Sequence, residues 1–271
     1  MLNKKGCEVL YMELIIRNAS CGYGDKNIIK DISIEIKSGE ILCILGPNGV
    51  GKTTLFKTIL GFLKLQSGEI LLDNENIRSW SKKRLAKAIS YVPQSHTPPF
   101  PFSVFDVVLM GRAAHLDMFA SPSKKDKEIA AQAIDTLKIS YLKNSIYTQI
   151  SGGERQMVLI ARALAQQAKI MVMDEPTSNL DFGNQIRVLQ QINNLASKGF
   201  GVIMTSHFPD HAFLCSTKAA LMQKNNAFII GNVDEVITEE NLKCAYGINV
   251  KIISVLNKNG EIIKSVVPLL S

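Results

Sequence analysis

Apolar residues fall into short uninterrupted runs near the two ends of the chain's first 230 residues and into helical spacing between them. Ile41 to Leu45 and Ile170 to Met173 are continuous apolar runs of strand length, the pattern of strands buried on both faces. Val202 to Ser206 and Ala88 to Val92 read the same way, and Glu13 to Arg17 is strand-like. Thr54 to Leu60 carries helical periodicity, as does the stretch following Ser151-Gly152-Gly153-Glu154. Residues 13 to about 92 therefore alternate short strands and turns around one helix. Residues 95 to 165 are largely helical, and 166 to 230 return to buried strands and helices. Beyond them a helical stretch, Asp234 to Ala245, precedes Lys251 to Val255 and Glu261 to Val266, which flank Asn259-Gly260, a hairpin signal.

Composition narrows the class. With 271 residues, 46% of them hydrophobic, the chain can bury a substantial core. No run of about 18 apolar residues reads as a membrane span. Met1-Leu2-Asn3-Lys4-Lys5 imitates the start of a signal peptide, but Glu8 and Glu13 interrupt what should be its apolar stretch, so a cytoplasmic protein is expected. Met12 is an alternative start, which makes residues 1 to 12 an expected disordered extension. The five cysteines, Cys7, Cys21, Cys43, Cys215 and Cys244, include no C-x-x-C pair and fit reduced packing thiols. A net charge of +7 arises from scattered clusters such as Lys82-Lys83-Arg84, which suit a solvated surface or a neighbouring anionic membrane rather than nucleic acid.

Ile150 to Glu175 carries the first candidate chemistry. Ser151 and Glu154 fit a capping box, yet the same helix start, with Gly152 and Gly153, offers unpaired N–H groups and a dipole to an anion. The strand 170–173 delivers Asp174 and Glu175 at its C-terminal edge, either as a strand meeting solvent or as metal and catalytic carboxylates. Gly46-Pro47-Asn48-Gly49-Val50-Gly51-Lys52-Thr53 resolves the choice. It matches G-x-x-x-x-G-K-[ST] between a strand and a helix that begins near Thr54. The glycines let successive N–H groups turn inward as a nest for phosphates, Lys52 supplies a point charge, and Thr53 a hydroxyl for Mg²⁺. Asp174 then becomes a metal partner of Thr53, and Glu175 a base for the attacking water.

With these residues in place the chain resembles the nucleotide-binding subunit of ATP-binding cassette (ABC) transporters. Tyr23 looks like the aromatic that stacks on adenine, and Gln94 like the Q-loop glutamine that senses Mg²⁺ and the γ-phosphate. Ile150 to Glu154 looks like the signature, Ser178-Asn179-Leu180-Asp181 like the D-loop, and His207 like the switch histidine. The commonest signature reads Leu-Ser-Gly-Gly-Gln, so Ile150 and Glu154 are departures that alter local polarity and leave Ser151 and Gly153 intact. Phe208 stands where an aspartate is frequent. A metal site at His207 and His211 lacks a third ligand with recognisable spacing, and Pro209 separates the two.

The resemblance implies an α/β fold: a P-loop NTPase core with a RecA-like mixed sheet, an antiparallel β subdomain, a helical insertion and a short C-terminal α+β tail. It implies an ATP-binding domain over 13–232, with the helical subdomain at about 95–165 and the tail at 233–271. ATP and Mg²⁺ are the implied cofactors. Tyr23, residues 46 to 54, Ser151, Gly152, Gly153 and Asp181 are the implied nucleotide contacts. Thr53, Gln94 and Asp174 are the metal set, and Glu175, His207 and Gln94 the catalytic group. It further implies a head-to-tail dimer with two ATP molecules between copies, integral permease subunits and, indirectly, an extracytoplasmic solute-binding protein. That arrangement sits peripherally on the cytoplasmic face of the membrane.

Val104 to Arg112, Leu180 to Gln185 and His207 to Ala212 look like the ATPases of iron–siderophore, haem and cobalamin importers. A cassette ATPase not coupled to transport, and an importer ATPase for molybdate or a metal ion, are the alternatives. Phe100 to Met110 is the expected permease-docking patch, with Phe102 and Phe105 as its test positions.

Overall fold

The computed structural model describes residues 12–24, 26–94, 100–117, 119–224 and 227–269. Of the extension expected at 1–12, residues 1–11 lie outside them, as do His96, Pro98 and Pro99. The described elements run β1 (Glu13–Tyr23), β2 (Lys26–Lys37), β3 (Ile41–Leu45), α1 (Lys52–Ile59), β4 (Leu65–Leu72), β5 (Glu75–Asn76), α2 (Lys82–Ala88) and β6 (Ile89–Val92). Then follow α3 (Val104–Leu109), α4 (Lys124–Thr136), α5 (Gly152–Ala165), β7 (Ile170–Met173), α6 (Phe182–Ser197), β8 (Gly201–Thr205), α7 (Asp210–Cys215) and β9 (Lys218–Met222). The last are β10 (Phe228–Asn232), α8 (Val233–Val236), α9 (Glu239–Tyr246), β11 (Val250–Leu256) and β12 (Ile262–Pro268).

The central sheet has the order β10-β9-β3-β8-β7-β6, parallel except for the antiparallel edge strand β10. Its continuous apolar strands follow from burial on both faces. Leu42 and Ile44 of β3 enter one core with α1 and the antiparallel sheet, while Cys43 and Leu45 enter the other with α3, α4, α5 and α6. Burying each such side chain stabilises the fold by about 1.5–3 kcal/mol. The antiparallel sheet, ordered β2-β1-β4-β5, covers the first core. All the parallel strands end on one side, so the loops after β3, β6, β7 and β8 meet at a shared edge, where sheets of this kind bind ligands.

Two local expectations are corrected. The single helix expected over 234–245 is two, because Thr238 leaves helical geometry and its hydroxyl caps Asn241 N–H. Phe102 and Phe105, expected on an outward docking patch, are half-buried against the helical core; Phe100 and Met110 are the exposed large apolar side chains of that stretch.

Candidate nucleotide site

The loop between β3 and α1 turns through Gly46, Gly49 and Gly51, all at positive φ. Gly46, at φ 146°, runs so close to the end of β9 that a Cβ would stand 2.5 Å from the Met222 carbonyl oxygen. That close approach excludes other residues there. Lys52 is buried at 6% exposure and folds back to donate from Nζ to the carbonyls of Gly46 and Pro47. Burial lowers its pKa, while Glu175 and Asp174 nearby pull it back up. A buried cation donating only to backbone carbonyls beside two carboxylates is a ready partner for anionic oxygen.

Thr53 Oγ1 lies 3.5 Å from Asp174 Oδ2. Two hard oxygen donors, one neutral and one anionic, converge from α1 and the end of β7, a donor set that suits Mg²⁺. Glu175 follows in the left-handed backbone region at φ 47°, a costly conformation for a non-glycine residue. Its N–H is held by Thr205 Oγ1 at 2.8 Å. The carboxylate is held from two sides: Gln94 Nε2 donates to Oε2 at 2.8 Å, and His207 Nε2 meets Oε1.

The cleft beside the loop is open to solvent and has a volume of about 260 Å³. Tyr23, Pro47, Asn48, Gly49, Gly51, Lys52, Thr53, Thr54 and Glu175 line it, together with Ile28, which sequence reasoning missed. Tyr23 is 49% exposed there, its ring open to a stacking partner.

Ser151, Gly152 and Gly153 do not line this cleft. Ser151 caps α5 in a full capping box: its hydroxyl donates to Glu154 Oε2 at 2.7 Å and accepts from Glu154 N–H. Those contacts, the Ser151 hydroxyl first, hold the Glu154 carboxyl below its usual pKa. Asp181 caps α6 by accepting from Asn184 N–H at 2.9 Å, and Asn184 in turn sits against Gly153, where a Cβ would come within 2.5 Å of Asn184 Cγ. The signature segment and the Asp181 cap are therefore in direct contact. His211 is buried with Nδ1 2.9 Å from Ser206 Oγ, whereas His207 turns to Glu175.

Two further residues complete the site without a signature in the sequence. Thr205 Oγ1 donates to Asp174 Oδ1 at 2.8 Å while receiving the Glu175 N–H. A hydroxyl closing the apolar run Val202 to Met204 is the one hint that could have singled it out. Tyr246 Oη, from the tail, accepts Gly46 N–H at 3.0 Å across 200 residues of chain.

Comparison with known proteins agrees with this geometry. Residues 29–178 match the family model described as ABC transporter. The chain is 37% identical over 237 residues to a probable iron chelatin transport ATP-binding protein of Helicobacter pylori, covering 87% of this chain and 93% of that protein. It is 36% identical over 235 residues to the molybdate import ATP-binding protein MolC of Haemophilus influenzae, covering 86% and 87%. A solved chain of an inward-facing ABC transporter, provisionally described as metal-chelate type, superposes with a TM-score of 0.85 at 34% identity, covering 96% of this chain and 98% of that one. The chain belongs to the ABC transporter family, as one of its ATP-binding, ATP-hydrolysing proteins.

Proposed function

We propose that this ATPase is the energising subunit of a membrane importer for a metal chelate, working as a head-to-tail dimer with ATP between the copies. The observation that carries the dimer is the separation of two anion-binding helix starts. Pro47, Asn48, Gly49 and residues 51 to 54 line the cleft with Glu175, whereas Ser151 and Gly153 do not. The second helix start then serves the nucleotide held by a second copy.

Within one subunit, Lys52 and the loop N–H groups bind phosphate oxygens, and Tyr23 stacks on the base. Thr53 and Asp174, with Gln94, would hold Mg²⁺, which when bound offsets charge on the phosphates. Glu175 takes the proton of the attacking water. Gln94 and His207 each engage one of its oxygens and so orient the carboxylate, and each oxygen keeps a second lone pair that can accept the proton.

Coupling to a permease is supported by a second cleft of about 390 Å³ between the core and the helical region. Phe62, Tyr91 and Met110 line it, with Leu85, Arg162 and Gln166. Phe62 is 69% and Met110 40% exposed, and an apolar patch rimmed by charge suits a short helix of a membrane protein. The chain itself supplies no span, since no helix among the described residues is long and apolar enough to cross a membrane. A peripheral place on the cytoplasmic face, and a solute-binding protein on the other, follow from this reading.

The solved neighbour's description and the iron chelatin relative favour a metal chelate; MolC, at nearly equal identity, favours molybdate as the second reading. Reconstitution with the permease and binding protein discriminates them. ATPase activity stimulated by an iron chelate and not by molybdate is expected. Stimulation by molybdate alone, or failure to co-purify with any polytopic membrane protein, would overturn the assignment.

A further inference from the structure

The tail, β11, β12 and the helices before them, supplies no residue to the lining of the nucleotide cleft, yet it is tied to the elements around that cleft at two points. Tyr246 is the last residue of α9, and its hydroxyl accepts the N–H of Gly46, the residue at which the phosphate loop leaves β3. The β3–β9 ladder ends at Leu45 paired with Leu221, so Gly46 N–H has left the sheet. Lys52 Nζ holds the carbonyl of the same residue. Gly46 is thus fixed at its N–H by the tail and at its carbonyl by the loop's own lysine. The second contact is Val266 N–H of β12, which donates to Asp210 Oδ1 at 2.9 Å, three residues beyond His207.

The phenol is well placed to be firm. Leu242, Ala245 and Val250 are buried in the same core as Cys43 and Leu45, and Tyr246 is half-buried against it. Burial also pushes the hydroxyl's pKa up to about 12, so it stays neutral at physiological pH.

We propose that the tail is a working part of the nucleotide site, with Tyr246 as a positioning residue that holds the phosphate loop in its binding geometry through Gly46. Without the hydroxyl, Gly46 N–H loses its partner and the loop relaxes to find another, so binding ATP must first restore the loop. The coupling is reciprocal: ATP that tightens the loop also tightens α9. This inference rests on residues 46 to 54 holding the triphosphate.

Tyr246→Phe in the full-length chain keeps the ring and removes the hydroxyl. The expected result is a rise of about 3- to 10-fold in Kd for Mg²⁺ with β,γ-imido-ATP by calorimetry, and a matching rise in KM for ATP. kcat should stay within about twofold, because Glu175, Gln94 and His207 are untouched. Unchanged Kd and KM with only a lowered Tm would make the contact merely structural and overturn the proposal. Hydrogen exchange on the wild-type chain tests it independently of the variant's folding: the analogue should slow exchange across 239–246, and unchanged exchange there contradicts the coupling. A wild-type chain that binds no nucleotide overturns the nucleotide assignment itself, and the inference with it.

Discussion

Thr205 Oγ1 donates to Asp174 Oδ1 at 2.8 Å and, through the same oxygen, receives the N–H of Glu175. One fully buried hydroxyl thereby fixes the carboxylate that faces Thr53 and the strained backbone of the residue that faces the cleft. Thr205→Val keeps the shape and removes both bonds. It should lower stability by about 1–3 kcal/mol, the cost of leaving buried polar groups unpaired. ATPase turnover should fall about tenfold or more, beyond what the stability loss explains, since Glu175 loses its anchor. Thr205→Ser, which restores the oxygen, should recover most of the turnover; denaturant melts and steady-state assays of the two variants check this.

Glu154 places a negative charge beside Ser151, whose hydroxyl it occupies. If Ser151 serves the partner copy's γ-phosphate, that charge opposes closure. Glu154→Gln keeps an acceptor for the hydroxyl and N–H while removing the charge. ATP-dependent dimerisation should strengthen by a few-fold, most visibly at low salt where exposed charges are least screened. Size-exclusion with light scattering in the presence of ATP measures it.

The signature helix also depends on Gly153. Any side chain there must displace Asn184, which is held by the Asp181 carboxylate through both its N–H and its amide. Gly153→Ala should cost about 1–3 kcal/mol from overpacking and disturb the Asp181 cap. ATP binding to isolated subunits should change little while turnover falls, a split that calorimetry and ATPase assays resolve.

A pH signature comes from the helical region. Asp126 accepts from Ser123 Oγ at 2.6 Å and from Arg112 Nε at 2.9 Å. The Ser123 hydroxyl, then the Arg112 guanidinium, hold its pKa at about 2 against an ordinary 3.8. A lowered folded-state pKa means the unfolded chain binds more protons in this window. The contribution is complete above about 3.8 and is lost as pH falls through about 2. Asp126→Asn should therefore lower Tm most at pH about 5 and above, and the gap to wild type should close as pH falls towards about 2. A gap that is constant across that range would contradict the ion pair's role.

What the sequence disclosed was local in the chain. The phosphate loop was legible because its glycines, Lys52 and Thr53 act within eight consecutive residues and lie between a strand and a helix. Asp174 and Glu175 were legible because a both-faces-buried strand ends on them. Thr205 and Tyr246 were not, since a lone hydroxyl has no spacing to betray it. Their roles come from a neighbouring parallel strand and from a tail 200 residues away. The apolar character of Phe102 and Phe105 likewise did not say which of their sides meets the core. The break at Thr238 was encoded only in its cap to Asn241, a weaker signal than the helical spacing running across it.

The central claim, that Glu175 is the base of an ATP site completed by a second copy, is tested most directly by turnover and oligomeric state in Glu175→Gln. The amide can still accept and donate at the same position but cannot take a proton from water. Multiple-turnover ATPase activity should fall at least about 100-fold. ATP binding should remain, and a stable dimer holding two ATP molecules should accumulate. Undiminished turnover, or a variant that binds ATP and stays monomeric, would contradict the account.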